Sequence, residues 1–133
     1  MKFLIDNNLP VPLARALDEL SKPDKHQVFA LRERFAPNTP DIEWIGTLGQ
    51  ESDWAVVSQD RFRKGDLEKR AFQESGVLIF CLARQWSQAT YWDKAHALVR
   101  WWPKIINQAE MITGGGAFKV PYRLSGRFEQ IRL

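Results

Sequence analysis

The chain has 133 residues, 44% apolar and 26% charged, enough for one domain with a real core and too few for two ordinary ones. No window approaches the ~18 to 20 uninterrupted apolar residues of a membrane span, the opening Met1 to Asp6 is too short an apolar run for a secretory signal, and the single Cys81 excludes an internal disulfide and suits a reducing cytoplasm. The net charge of +3 hides opposite halves, since residues 1–60 carry 6 Lys/Arg against 10 Asp/Glu and residues 61–133 carry 13 against 6.

In chain order, KFLID over residues 2–6 is too brief for a helix and reads as a strand ending on an acid. LPVPLARALDELS follows, with Leu13, Ala14, Leu17 and Leu20 at helical spacing and Pro10 or Pro12 suited to a first turn. HQVFAL is a second strand, and ERFAPNTP is a loop rich in breakers. DIEWIGTLGQES is a helix with Ile42, Ile45 and Leu48 on one face, and Trp54 to Val57 is a third strand running into Asp60. A charged loop precedes a helix from about Asp66, where Asp66 is expected to cap and Glu68 to favour the positive helix end. GVLIFCLA has the composition of a strand buried on both faces.

From Ser87 to about Gln108 an amphipathic segment is expected to bury Trp92, Ala95, Val99, Trp102 and Ile106, with Pro103 bending or restarting it. After ITGGG, two alternating runs flank Ser125-Gly126, a two-residue hairpin signal. The order predicts an α/β fold, a mostly parallel sheet between two helix layers joined by right-handed crossovers. Residues 1–133 form one domain on this reading, with the hairpin at about 117–133 as an appendage.

Ligands of open parallel sheets bind beyond the carboxyl ends of the strands. Asp6 ends the first strand, Asp60 follows the third and Asp41 begins the helix leading into the third, so three distant carboxylates can meet at one edge. Such a set gives an oxygen-ligand site suited to magnesium or manganese. Each acid also has an ordinary local use: Asp6 as a turn former, Asp41 as a helix cap, Asp60 as a loop residue. An acidic cluster beside a basic surface fits a metal-dependent enzyme of nucleic acid, whereas charges scattered over helix faces would merely solvate them.

The motifs MKFLIDNNLP, PDIEWI and VVSQDRF resemble those of the PIN-like domain ribonucleases, in particular the short bacterial toxins of toxin-antitoxin pairs. The resemblance implies a PIN-like three-layer α/β/α fold and a metal-dependent phosphodiesterase that cuts RNA with Mg2+ or Mn2+ held by carboxylates. It implies Asp6 as the first acid, Asp60 as the third, and Asp41 as the second with Glu43 as its competitor. The chain departs from the family pattern just after Asp60, where Arg61, Phe62, Arg63 and Lys64 precede the next acid, Asp66, the remaining candidate ligand. Arg61, Arg63 and Lys64 are placed to hold substrate phosphates, and Asn8 to bind substrate oxygens or cap the first helix. An antitoxin protein is the implied partner, and the aromatic excess of the long helix and hairpin leaves surface for it or for a homodimer.

Other classes fit less well. An aspartyl-nucleophile phosphatase needs an acid two residues after the first, where Asn8 stands, and a receiver domain needs paired acids where Asn7 and Asn8 stand. His26 and His96 have no ligand spacing, and Gly114-Gly115-Gly116 lacks the lysine of a phosphate loop. A PIN-like module that binds RNA or protein without cutting is the competing reading, separated by metal-dependent cleavage.

Overall fold

The computed structural model describes residues 1–59 and 65–132. Its sheet has the order β2-β1-β3-β4-β5-β6, built from β1 (Lys2–Ile5), β2 (Gln27–Ala30), β3 (Trp54–Ser58), β4 (Leu78–Leu82), β5 (Gly116–Val120) and β6 (Glu129–Ile131). The first five strands are parallel and β6 returns antiparallel to β5, so the closing pair continues the main sheet. The α-helices among the described residues are α1 (Val11–Ser21), α2 (Leu31–Arg34), α3 (Asp41–Glu51), α4 (Asp66–Ser75) and α5 (Tyr91–Met111).

Strand alternation distributes side chains between two cores. Phe3, Ile5, Val57 and Phe80 face α1 and α5, whose Leu13, Leu17, Leu98 and Trp101 cover them. Leu4, Val56, Ile79 and Cys81 face α3 and α4, covered by Trp44, Ile45, Leu48 and Phe72. This is the expected α/β/α layering, and β4 is buried along its whole length, as its unbroken apolar run requires.

The crossovers depart from expectation. The steps from β3 to β4 and from β4 to β5 move the same way across the sheet, yet α4 packs on one face and α5 on the other. The β4-α5-β5 unit therefore has the opposite hand to β3-α4-β4, against the strong right-handed rule for parallel connections. The segments flanking α5 accommodate the exception: the 3-10 turn Arg84–Gln88 carries the chain out of β4, and Gly114, Gly115 and Gly116 return it through positive φ angles of 84°, 88° and 151°.

α5 also runs unbroken through Pro103. An interior proline costs a helix about 3 kcal/mol. Burial of Trp101, Trp102, Ile105 and Ile106 around it offsets that, at about 1.5–3 kcal/mol for each large apolar side chain. The buried face overlaps only in part with the one the sequence suggested: Trp102 and Ile106 lie inward as expected, with Leu98, Trp101, Ile105 and Ala109 beside them, whereas Trp92 is 80% exposed and Val99 lies at the margin. Ile42 of α3 and Leu20 of α1 are likewise exposed, their places taken by Trp44 and Ser21.

The two-residue hairpin at Ser125-Gly126 is replaced by an eight-residue connection over residues 121–128, with Lys119 opposite Glu129. Pro121 has no N–H to continue the ladder, and loop carbonyls serve α5 instead: Tyr122 accepts from Trp101 Nε1 (3.2 Å) and Leu124 from Lys104 Nζ (3.0 Å). Gly126 is needed for closeness, because a Cβ there would sit 2.6 Å from the Pro121 Cγ.

Candidate active site at the carboxyl edge of the sheet

The chain leaves β1 for β2 on one side and later returns to place β3 on the other side of β1. The carboxyl ends of β1 and β3 thus form the point where strand order reverses, the usual ligand crevice of an open α/β sheet. The last ladder pair is Ile5 opposite Val57, so the next residues, Asp6 and Ser58, are neighbours. Since Leu4 and Val56 face α3, period-two alternation turns Asp6 and Ser58 toward the same layer.

Asp6 is 7% exposed. Its backbone N–H donates to the Val57 carbonyl (3.0 Å), and its own carbonyl accepts from Leu9 N–H (3.0 Å), which fixes the turn into α1. One carboxylate oxygen accepts from Asn7 N–H (2.7 Å) and the other from the Ser58 hydroxyl (2.7 Å). Asn8 ties the two strand ends together. Its amide nitrogen donates to Ser58 Oγ (3.5 Å), and its amide oxygen accepts from Gln59 N–H (3.2 Å). The carboxylate is therefore held in orientation through both of its oxygens.

The other acids were placed as follows. The 11 residues of α3 span roughly 16 Å, about the height of the sheet, and the helix ends at Glu51 just before β3 begins. Its first residue, Asp41, consequently lies toward the carboxyl edge, where its Oδ1 accepts from Trp44 Nε1 (2.9 Å), and Glu43 is exposed on the same turn. α4 likewise runs back from that edge. Asp66 is its exposed first residue, and Gly65 rather than Asp66 takes the cap position. Asp60, Arg61, Arg63 and Lys64 lie outside the described residues.

Asp6, Asp41 and Asp66 thus share one edge and one layer. Among the described residues, no three His, Cys, Asp or Glu side chains come together as an ion site. The oxygen donors around Asp6 (carboxylate, hydroxyl and amide) are of the hard type that divalent magnesium and manganese take. The buried Gln59 Oε1, beside this group in sequence, accepts no hydrogen bond among the described residues.

A family model described as a PIN like domain matches residues 1–84. The chain belongs to the PIN-like family. No curated protein and no solved structure was found to match it. PIN-like domains are commonly nucleases, and the match runs from β1 through β4, so it takes in every acid discussed above. It ends before α5, β5 and β6.

Ser58 and Gln59 escaped the reading of single motifs. The signal that finds Ser58 is register: a hydroxyl following four apolar strand residues falls opposite the first residue after β1. The larger clefts do not coincide with the group around Asp6. One of about 400 Å³ lies at the opposite edge beside Met1, Asp53 and Gly114, and one of about 610 Å³ lies between the last turns of α1 and α5. Neither brings a buried acid to the end of a strand, and the functional reading follows Asp6 rather than concavity.

The opposite edge holds a different polar cluster. Arg34 Nη2 donates to both oxygens of Glu51 (2.7 and 2.9 Å), and Trp54 Nε1 donates to one of them (2.9 Å). The Arg34 guanidinium lies over the Trp54 ring at 4.9 Å, with Lys2 also over it at 5.1 Å. Burial pushes the Glu51 carboxyl upward, but the Trp54 hydrogen bond and the Arg34 and Lys2 charges outweigh it and hold that carboxyl below its ordinary range.

Proposed function

We propose that this PIN-like protein is a metal-dependent endoribonuclease centred on Asp6, and that it serves as the toxin of a toxin-antitoxin pair. The observation that carries the reading is the buried Asp6 carboxylate at the reversal point of the sheet, oriented through both oxygens. Asp6 would hold a magnesium or manganese ion with Asp41 and Asp60, and with Asp66 as a further ligand. Such an ion, when bound, supplies a water of lowered pKa and stabilises charge on the phosphate and the leaving oxygen.

The chain's own groups supply position. Ser58 Oγ and Asn7 N–H fix the direction of the Asp6 lone pairs, and Asn8 locks the β1 turn to the end of β3. The second amide proton of Asn8, an exposed residue, is available to a substrate oxygen. Arg61, Arg63 and Lys64 are assigned to the phosphates flanking the scissile bond, where they position the backbone without reading bases. No protein nucleophile is needed.

The test is cleavage of a mixed single-stranded and structured RNA pool with manganese, magnesium or chelator. Wild type should cut with either metal and not with chelator, and Asp6→Asn should not cut. Cutting that survives both chelator and Asp6→Asn would eliminate this reading, and RNA binding without metal-stimulated cutting would favour a binding module. For the toxin assignment, wild-type expression should arrest growth of a bacterial host and Asp6→Asn expression should not.

A further inference from the structure

The chain has six tryptophans. Trp44, Trp54, Trp86, Trp101 and Trp102 are all at most 4% exposed, whereas Trp92 is 80% exposed. It is not a stray apolar residue. Its ring stacks on that of Tyr91 at 5.5 Å with 16° between the planes, and Tyr91 is itself 47% exposed. The pair stands on a fixed base: Thr90 caps α5, accepting from Asp93 N–H with its hydroxyl (3.2 Å) and from Lys94 N–H with its carbonyl (2.8 Å).

Topology places this platform at the functional edge. α5 runs back from the carboxyl end of β4, so its first turn stands at the same sheet edge as Asp6. The opposite hand of its crossover puts it beside α1, to which Trp102 Nε1 is bonded at Ser21 Oγ (2.9 Å). Asn7 and Asn8 lead from Asp6 directly into α1. A strand laid across the edge would pass Asp41 and Asp66 on the α3 layer, Asp6 at the middle, and Tyr91 and Trp92 on the α5 layer.

We infer that Trp92, backed by Tyr91, is a stacking platform for an unpaired nucleobase of the RNA strand. Two parallel rings offer one free π-face, and any base can continue the stack, which gives sequence-tolerant binding to single strands. The surroundings favour a base over a protein surface: Asp93, His96 and Gln88 are exposed around the pair, while the other exposed large apolar residues stand apart in the chain, Leu20 on α1, Ile42 on α3, Leu67 on α4, and Val99 and Met111 further along α5. Both aromatics lie beyond the residues that match the family, so the platform belongs to this chain's own carboxyl-terminal part.

The inference rests on the ribonuclease reading, and its test separates the two. Trp92 is the exposed emitter, so the full-length protein is titrated, with metal chelated, with a 12-nucleotide single-stranded RNA and with the same sequence in a duplex. The single strand should quench the long-wavelength emission and the duplex should not. Trp92→Ala should lose that component and weaken single-strand binding roughly tenfold, Trp92→Phe should retain most of the binding, and both should melt like wild type. Equal binding by Trp92→Ala, emission that responds to protein concentration but not to RNA, or no RNA binding at all would overturn the platform. Metal is then added. Cutting by wild type together with unaltered binding by Trp92→Ala sinks the platform and leaves the nuclease standing. Quenching without cutting does the reverse.

Discussion

The two edges of the sheet each carry a hydrogen-bonded carboxylate, exposed Glu51 at one and buried Asp6 at the other, and they use them differently. At the amino edge Glu51 is closed in by Arg34 through both oxygens, by Trp54 Nε1 and by two cations over the Trp54 ring. Every contact there comes from a charge or ring that neutralises or covers it. At the carboxyl edge Asp6 is more deeply buried, and a backbone N–H and a hydroxyl each hold one of its oxygens, with exposed Asn7 and Asn8 beside it. The first arrangement satisfies a charge and stabilises the fold. The second fixes the direction of both carboxylate oxygens at the end of a strand, as the proposed ligand role requires.

The contrast breaks most sharply at Asp6. Asp6→Asn keeps the shape and the Asn7 and Ser58 contacts largely possible, but should lower RNA cleavage by roughly a hundredfold or more, since metal stabilisation of charge is worth several kcal/mol. The melting temperature should stay within a few degrees of wild type. A gel assay with manganese and a thermal melt measure both, and a variant that melts far lower would make Asp6 a structural residue like Glu51.

Ser58→Ala tests the orienting bond. It removes the donor to Asp6 Oδ2 and the acceptor for Asn8. Groups that orient a metal-ligating carboxylate are worth about 10- to 100-fold in affinity or activity. Cleavage should fall in that range, with an accompanying rise in the manganese concentration needed for half activity. Loss of rate with no change in the metal requirement would count against the orienting role.

Glu51→Ala should show the complementary pattern. It removes the partner of the exposed Arg34 guanidinium and of the Trp54 N–H and should cost about 1 kcal/mol in urea unfolding, while cleavage by the folded protein stays within about twofold. A large loss of activity in folded Glu51→Ala would join the two edges functionally and remove the distinction between them.

These differences explain what the sequence could convey. Strands ending in acids were legible because a short buried run has one periodicity and an abrupt polar end: β1 into Asp6 and the residues through β4 could be read, and the family match covers that stretch. The carboxyl-terminal third was harder. α5 is apolar over enough of its surface that two different faces fit helical spacing, and Trp92 was assigned inward because size alone does not say which side meets the sheet. The Ser125-Gly126 signal misled because Gly126 is there to clear Pro121, a tertiary contact invisible in local pattern. The hand of the last crossover depends on which face α5 covers, so it was lost with that face. In the candidate site, the place of Asp6 at the end of β1 could be read from the sequence alone. Ser58 needed the β1–β3 register, and the Arg34–Glu51–Trp54 cluster needed three elements brought together.

The smallest expected effect concerns acid. Because the Glu51 carboxyl titrates below its ordinary range in the folded chain, folding favours its ionised form. The stability this confers is fully present above the unfolded value of about 4.3. It is lost as pH falls through the lower folded value. Glu51→Gln keeps the size and one acceptor oxygen but cannot titrate, so it lacks this component at every pH. The stability gap between wild type and Glu51→Gln should therefore be constant from pH 7 to about 5 and narrow below about 4.3. Urea midpoints measured for both proteins at half-unit steps from pH 7 to 3.5 would reveal it. The exposure of the pair to solvent keeps the whole effect modest, and added salt should shrink the gap at pH 7 by screening the Arg34 and Lys2 charges. A gap that widens toward low pH would mean that Glu51 is held above its ordinary range, with burial outweighing its partners, and the amino edge would then not be the charge-satisfying arrangement described above.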